Sequence, residues 1–152
     1  LIKKDINFQA VIIGRGKLHD KLLKYIYKNE LNHFVKIIDF VENPFPLLKQ
    51  TDLFILSSRY EGLPNVLLEA LSLKKFIISS NCPTGPKEIL LNGKGGLLFK
   101  VGDYKQLAKR IFYYQNNKGK CNKLLKFSIQ NIKRFDYKKN MQKYLSLVEK
   151  FI

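Results

Sequence analysis

Short runs of β-branched and other apolar residues alternate along this chain with segments of helical spacing, and no other feature restricts the fold as much. Residues 8–13, Phe-Gln-Ala-Val-Ile-Ile, read as a buried strand stopped by Gly14. Leu18, Leu22, Leu23 and Ile26 then recur at helical spacing, so a helix is expected to about residue 30. The same reading gives strands at 35–40, 53–56, 76–79 and 96–99, with helices at 44–50, 64–73 and 86–91 between them. From Asp103, a good N-cap, the chain is expected to be helical to its end, with breaks near Gly119 and Asp136. Strand and helix in strict alternation imply right-handed crossovers and a parallel sheet with helices on both faces. The expected class is therefore α/β, an open sheet followed by a helical C-terminal tail.

Composition narrows the function classes. A chain of 152 residues with 45% hydrophobic content fills the core of one domain. No run reaches the ~18–20 apolar residues of a membrane span. The N-terminal Leu-Ile-Lys-Lys-Asp has neither an initiating Met nor a signal-peptide core, so a piece of a larger protein is expected. Cys82 and Cys121 form no Cys-x-x-Cys pair, and two free thiols in a reducing cytoplasm are the simplest reading. The net charge of +16 has two explanations, the lysine bias of an AT-rich genome or selection for an anionic partner. Only Arg15, Arg59, Arg110 and Arg134 among the 28 basic residues are arginines. The densest basic stretch, residues 118–150, is broken by Phe127, Phe135, Tyr137 and Tyr144. That pattern fits amphipathic helices on an anionic membrane surface or against another domain. Zinc spacing, aromatic strand signatures and a helix-turn-helix pattern are all lacking, so no nucleic-acid partner is expected.

In open α/β sheets, ligands bind outside the carboxyl ends of the strands. Gly14-Arg15-Gly16 follows the first strand and opens a helix, an arrangement that favours an anion. It begins a dinucleotide fingerprint, with Asp39 as the ribose acid, but position 19 is His rather than the third Gly. A fragment of an NAD-dependent dehydrogenase and a ligand-free turn are therefore the alternatives at this loop.

The segment from Ser57 to Ala70, Ser-Ser-Arg-Tyr-Glu-Gly-Leu-Pro-Asn-Val-Leu-Leu-Glu-Ala, is more specific. Pro64 fits the first helical position, and Gly62, Leu63 and Asn65 offer backbone N–H groups at the positive end of the helix dipole, where a diphosphate would dock. Glu61 stands in the loop, and Glu69 lies about 7 Å further along the axis. Two carboxylates so spaced suit one extended ligand with hydroxyls at both ends, such as a nucleotide sugar. The plainer alternatives are a surface carboxylate for Glu61 and a half-buried Glu69 paired with a lysine.

Glu61 and Glu69, with seven residues between them, resemble the Glu-x7-Glu motif of group 1 (family 4) retaining glycosyltransferases. Val11-Ile-Ile-Gly-Arg-Gly looks like that family's Gly-x-Gly loop, Asp39-Phe-Val-Glu-Asn-Pro like its base-contacting loop, and Asn81-Cys-Pro-Thr-Gly-Pro-Lys-Glu-Ile like the segment facing the donor sugar. The resemblance implies the C-terminal, Rossmann-like half of a GT-B fold. It divides the chain into a donor-binding core, 1–118, lacking the usual first strand, and the C-terminal helices of the same domain, 119–152.

By the same resemblance Glu61 is the catalytic-site residue, binding the donor sugar hydroxyls, and Glu69 holds the ribose. Gly62, Leu63 and Asn65 lie near the diphosphate, the backbone at Phe40 and Val41 contacts the base, and Gly14 and Gly16 admit donor or acceptor. Thr84 and Gly85 either touch the donor or form a turn capping a short helix. The implied reaction is hexosyl transfer from a UDP- or GDP-linked sugar to a glycan, lipid-linked or lipopolysaccharide acceptor. No cofactor and no metal are expected, and His19 and His33 read as surface residues. The implied partners are the nucleotide sugar, the acceptor, an N-terminal domain of the same enzyme and an anionic membrane surface. The implied location is cytoplasmic, peripheral on the inner face of the cytoplasmic membrane, and the isolated fragment is expected to bind donor weakly without turnover. Several positions depart from the family pattern: Asp39 and Lys74 stand where Gly is common, Phe76 replaces a frequent Pro, and the diphosphate-binding Arg and Lys are not identifiable. A non-catalytic nucleotide-binding or assembly module is the alternative outside enzymes.

Overall fold

The apolar runs become strands where β-branched residues crowd, and every strand pair among the described residues is parallel. The computed structural model describes residue 1 and residues 6–151, which gather into two compact units, Leu1–Pro46 and Leu47–Ile152. In the first, β1 (Ala10–Ile13) pairs with β2 (Val35–Ile38) in a register running from Ala10 opposite Val35 to Ile13 opposite Ile38. Helix α1 (His19–Lys28) joins them and buries Ile26. It ends in a Schellman motif: Leu31 N–H donates to the Ile26 carbonyl and Glu30 N–H to that of Tyr27, with Glu30 left-handed at φ 55°. Phe8 and Phe34 stack with ring centroids 5.5 Å apart. The expectation of a buried first strand fails, because Val11 remains 49% exposed and Ile12 41%. Among the described residues β1 has a single strand neighbour, and a unit this small has little interior to offer.

The second unit carries most of the core. After α2 (Phe45–Gln50), which begins at the unit boundary, come β3 (Leu53–Leu56), α3 (Asn65–Ser72), β4 (Phe76–Ser80), α4 (Pro86–Ile89) and β5 (Leu97–Phe99). Helices α5 (Tyr104–Asn116), α6 (Lys118–Asn131) and α7 (Tyr137–Val148) complete it. The sheet order is β3-β4-β5, so β4 is central, and all five of its residues are buried. Side chains alternate across a strand, and β4 shows the consequence. Ile77 packs with Leu67, Ala70 and Leu71 of α3 and with Ile89 and Leu90. Phe76 and Ile78 point the other way, into a cluster with Tyr114 of α5, Cys121 of α6 and Phe99. Helices thus cover both faces of this sheet, as the alternation implied.

Close approaches fix α6. Ser128, buried, donates its hydroxyl to the Gly95 carbonyl at 2.9 Å. A Cβ on Gly96 would stand 2.9 Å from the Ile77 carbonyl oxygen, so only glycine lets β5 lie this close to β4. The Phe76 and Tyr114 rings stack at 5.1 Å, and the Tyr114 hydroxyl donates to the Asp52 carbonyl at 2.9 Å.

One boundary differs from the sequence expectation, and another is sharpened by the structure. Pro64 is the N-cap of α3, with extended ψ of 93°, and Asn65 is the first helical residue. The break expected near Gly119 falls at Asn117, and Gly119 itself lies in the first turn of α6. Asn117 takes the non-helical dihedrals between α5 and α6, and its carbonyl accepts from Cys121 N–H at 3.0 Å. A glycine in the first turn costs little, whereas asparagine is well suited to a cap. Asp103 caps α5 as expected, accepting from Gln106 N–H at 2.8 Å, and the break expected near Asp136 is there, with Asp136 capping α7 by accepting from Lys139 N–H at 2.9 Å. Helix α7 buries none of its residues. Among the described residues, no helix is long and apolar enough to cross a membrane.

Candidate functional site

The loop between β3 and α3 is held by the segment that leaves β4. Parallel pairing puts the carboxyl ends of β3 and β4 side by side, Leu56 opposite Ser79. The buried Ser80 hydroxyl donates to the Ser58 carbonyl at 2.6 Å. Further along, the Thr84 hydroxyl donates to the Glu61 carbonyl. Gly85, at φ +83°, is the N-cap of α4, and a Cβ there would overlap the Pro64 ring and the Gly62 carbonyl. Both Thr84 and Gly85 therefore brace the Glu61 loop and start a short helix, which is the turn-forming role weighed for them.

Glu61 and Glu69 are each half-buried. Among the described residues neither carboxylate has an ion-pair or hydrogen-bond partner, so Glu69 does not form the lysine pair considered as its plainer role. The N–H groups of Gly62, Leu63 and Asn65 also carry no hydrogen bond among the described residues. The first N–H group in this stretch to find an acceptor is that of Leu67, on the Pro64 carbonyl at 2.9 Å. Gly62 has room for a Cβ and no positive φ, so the fold itself does not require glycine there. The arrangement is a half-turn of unpaired donors at the positive end of α3, with a carboxylate at its mouth and another on the helix.

In the first unit, Gly14 and the Asp39-Phe40-Val41 segment follow neighbouring strand ends. Gly14 N–H donates to the Ile38 carbonyl at 3.0 Å, and its φ of +143° requires glycine. Gly16 is in open space at an ordinary φ. Phe40 is exposed and Val41 half-buried. His19 faces Asp20 at 3.2 Å and Asp39 at 4.0 Å. Among the described residues, no three His, Cys, Asp or Glu side chains gather as metal ligands would.

The family model of glycosyl transferases group 1 matches residues 1–131, through both units and both glutamates. The chain belongs to that family. An uncharacterized glycosyltransferase of Methanocaldococcus jannaschii is 45% identical over 84 residues, which is 55% of this chain and 21% of that protein. The GalNAc-alpha-(1->4)-GalNAc-alpha-(1->3)-diNAcBac-PP-undecaprenol alpha-1,4-N-acetyl-D-galactosaminyltransferase of Campylobacter jejuni is 31% identical over 142 residues, 93% of this chain and 39% of that one. The crystal structure of Anabaena HepE in complex with UDP superposes with a TM-score of 0.84 at 21% identity, over 94% of this chain and 41% of that chain. At that identity the likeness shows the fold alone, the Rossmann-like α/β fold of GT-B enzymes. The group 1 chain described here spans about a fifth to two fifths of the length of these relatives.

Seen as a group 1 glycosyl transferase, the chain has one feature that the motif did not reveal. Ser80 was not among the expected site residues, yet its buried hydroxyl fixes the start of the Glu61 loop. The available signal was a polar pair, Ser79-Ser80, closing an otherwise apolar strand beside the Ser57-Ser58 pair.

Proposed function

We propose that this chain is the donor-binding domain of a retaining glycosyltransferase that moves a sugar from a UDP- or GDP-linked donor to a glycan or lipid-linked acceptor. The reading is carried by two carboxylates, Glu61 and Glu69, that have no partner among the described residues and flank N–H groups equally unpaired there, at the start of α3. Glu61 binds the donor sugar hydroxyls and Glu69 the ribose hydroxyls, each carboxylate accepting from a vicinal pair. Charge developing on the leaving diphosphate falls on the Gly62, Leu63 and Asn65 amides, preorganised donors that need no reorientation as the bond breaks. In the first unit, Gly14 and Gly16 admit donor or acceptor, and the backbone at Phe40 and Val41 contacts the base. Residues 1–118 form the binding core and 119–152 the helices that complete it. The reaction uses neither cofactor nor metal. Support comes from group 1 membership, from relatives named as polysaccharide and lipid-linked glycan transferases, and from the UDP-bound HepE structure.

Titration of the chain with UDP, GDP, UDP-glucose and GDP-mannose, followed by backbone amide shifts, tests this reading. Shifts are expected at Gly62, Leu63 and Asn65, and Glu69→Ala is expected to weaken nucleotide binding about tenfold or more. No response to any of the four ligands, or unchanged binding by Glu69→Ala, would remove the donor assignment. Turnover by these 152 residues alone would contradict the expectation that the acceptor half lies elsewhere. The basic, exposed surface of α7 leads us to add a peripheral location on an anionic membrane.

A further inference from the structure

We infer that Ser80 and Thr84 are positioning residues that set the affinity for the donor's sugar without touching the nucleotide, an inference that rests on the donor reading above. Three ties join the β4–α4 segment to the Glu61 loop, and they act at different points along it. Ser80 Oγ holds the Ser58 carbonyl at 2.6 Å, before the glutamate. Thr84 Oγ1 holds the carbonyl of Glu61 itself. Gly85 lies against Gly62 and Pro64, after the glutamate. Glu61 is thus fixed from behind on both sides, while its carboxylate keeps no partner among the described residues.

The hydroxyls differ from the Gly85 contact in what they control. Gly85 and Pro64 seat the helix start, which sets the amides of the diphosphate site and, through α3, Glu69. The Thr84 and Ser80 bonds set only the strand-to-helix loop, residues 57–61, and hence the direction in which Glu61 leaves the backbone. Ser80 is fully buried and in the central strand, so its hydroxyl is a rigid anchor; Thr84 is exposed, so its hydroxyl can be removed without opening the core. A carboxylate misplaced by about 1 Å loses a bidentate contact with vicinal hydroxyls even though it remains present.

The consequence is a separation of sugar from nucleotide. Thr84→Val keeps the side-chain shape and deletes the hydroxyl, while Thr84→Ser keeps the hydroxyl and deletes the methyl. Affinities of UDP, UDP-glucose, GDP and GDP-mannose are measured by calorimetry for the wild-type chain, both Thr84 variants, Ser80→Ala and Glu69→Ala. The extra affinity that the sugar brings, the ratio of nucleotide-sugar to nucleotide binding, is expected to fall about five- to tenfold in Thr84→Val and Ser80→Ala, the size of one lost hydrogen bond. Thr84→Ser is expected to restore that ratio, and binding of the bare nucleotide is expected to stay within about twofold throughout. Glu69→Ala, by contrast, lowers binding of nucleotide and nucleotide sugar together. A ratio unchanged in Thr84→Val, or a loss shared equally by the bare nucleotide, overturns the positioning role while leaving the donor reading intact. A wild-type chain that binds none of the four overturns the donor reading and this inference with it. Thr84→Val decides the matter if Ser80→Ala fails to fold.

Discussion

Gly85 and Pro64 fit together only because Gly85 has no side chain: a Cβ on it would run into the proline ring and the Gly62 carbonyl. The two residues belong to separate loops, after β4 and after β3, and each begins a helix. Their contact makes one structure of two motifs that are 21 positions apart in the sequence.

The contact separates two glycines that look alike in the sequence. Gly85→Ala combines a left-handed φ with overlap against backbone and ring, and is expected to cost about 2–4 kcal/mol. Gly62→Ala meets open space at an ordinary φ and is expected to stay within about 0.5 kcal/mol of wild type. Urea unfolding of both variants checks the stabilities. If the proposed donor site is right, nucleotide-sugar titration of Gly62→Ala is expected to show weakened binding in a folded protein, because the added methyl would crowd the diphosphate. A Gly85→Ala variant as stable as the wild type would show that the two loops are not braced as described.

Lys74 occupies a glycine's place. It follows the C-cap of α3 at φ 58°, with its N–H on the Leu71 carbonyl and that of Lys75 on Ala70, the two bonds of a Schellman motif. Lysine bears the Cβ cost of the left-handed region, while Lys75 gains by donating its ammonium to the Lys49 and Thr51 carbonyls, both at 2.7 Å. Lys74→Gly is therefore expected to stabilise the chain by about 0.5–1 kcal/mol, visible as a rise of about 1–4 °C in Tm. Lys75→Gly is expected to destabilise it, and calorimetric melts of the two variants should move in opposite directions.

Stability should fall at alkaline pH through Cys121. Burial pushes this thiol above its ordinary value of 9.0, and the charge of nearby Lys118 opposes the rise without cancelling it. The folded state therefore holds the proton more tightly than the unfolded chain. The resulting stability is fully present below pH 9.0 and is lost as pH rises from there through the raised folded value. Cys121→Ala removes this dependence, so the difference in unfolding free energy between wild type and variant should shrink as pH is raised from about 8 to above 9. A difference that stays constant across that range would exclude the thiol as its source.

Helix α7 presents an apolar side to solvent, with Tyr144 61% and Leu145 51% exposed, between lysines at 138, 139, 143 and 150. Co-sedimentation with phosphatidylglycerol vesicles, but not with phosphatidylcholine vesicles, is expected. Lys139→Glu, Lys143→Glu and Lys150→Glu together should reduce it more than about tenfold, since each lysine near an anionic surface contributes about 1 kcal/mol. Equal sedimentation with both lipids would argue against the peripheral location.

Much of the fold was legible because local pattern and burial agree where a strand is central. β3 and β4 were placed within a residue of their observed ends, since apolar runs flanked by helical spacing have few alternatives there. β1 shows the limit: its residues are as apolar as those of β4, yet they stay exposed, because burial depends on neighbours that a strand's own sequence does not encode. Pro64 was misplaced by one position for a related reason, as caps depend on dihedrals and contacts as well as residue type.

By itself, the sequence determined the alternation of strand and helix, the family, and the spacing of Glu61 and Glu69 on one stretch of backbone. Covalent order and periodicity are enough for these, because a helix converts separation along the chain directly into distance. Only the tertiary structure decided that Thr84 and Gly85 brace the Glu61 loop, that Ser80 anchors it, and that the fold does not require glycine at position 62. Those facts arise from parallel pairing of β3 with β4, which brings loops more than twenty residues apart into hydrogen-bonding distance. No periodicity within either loop carries that information.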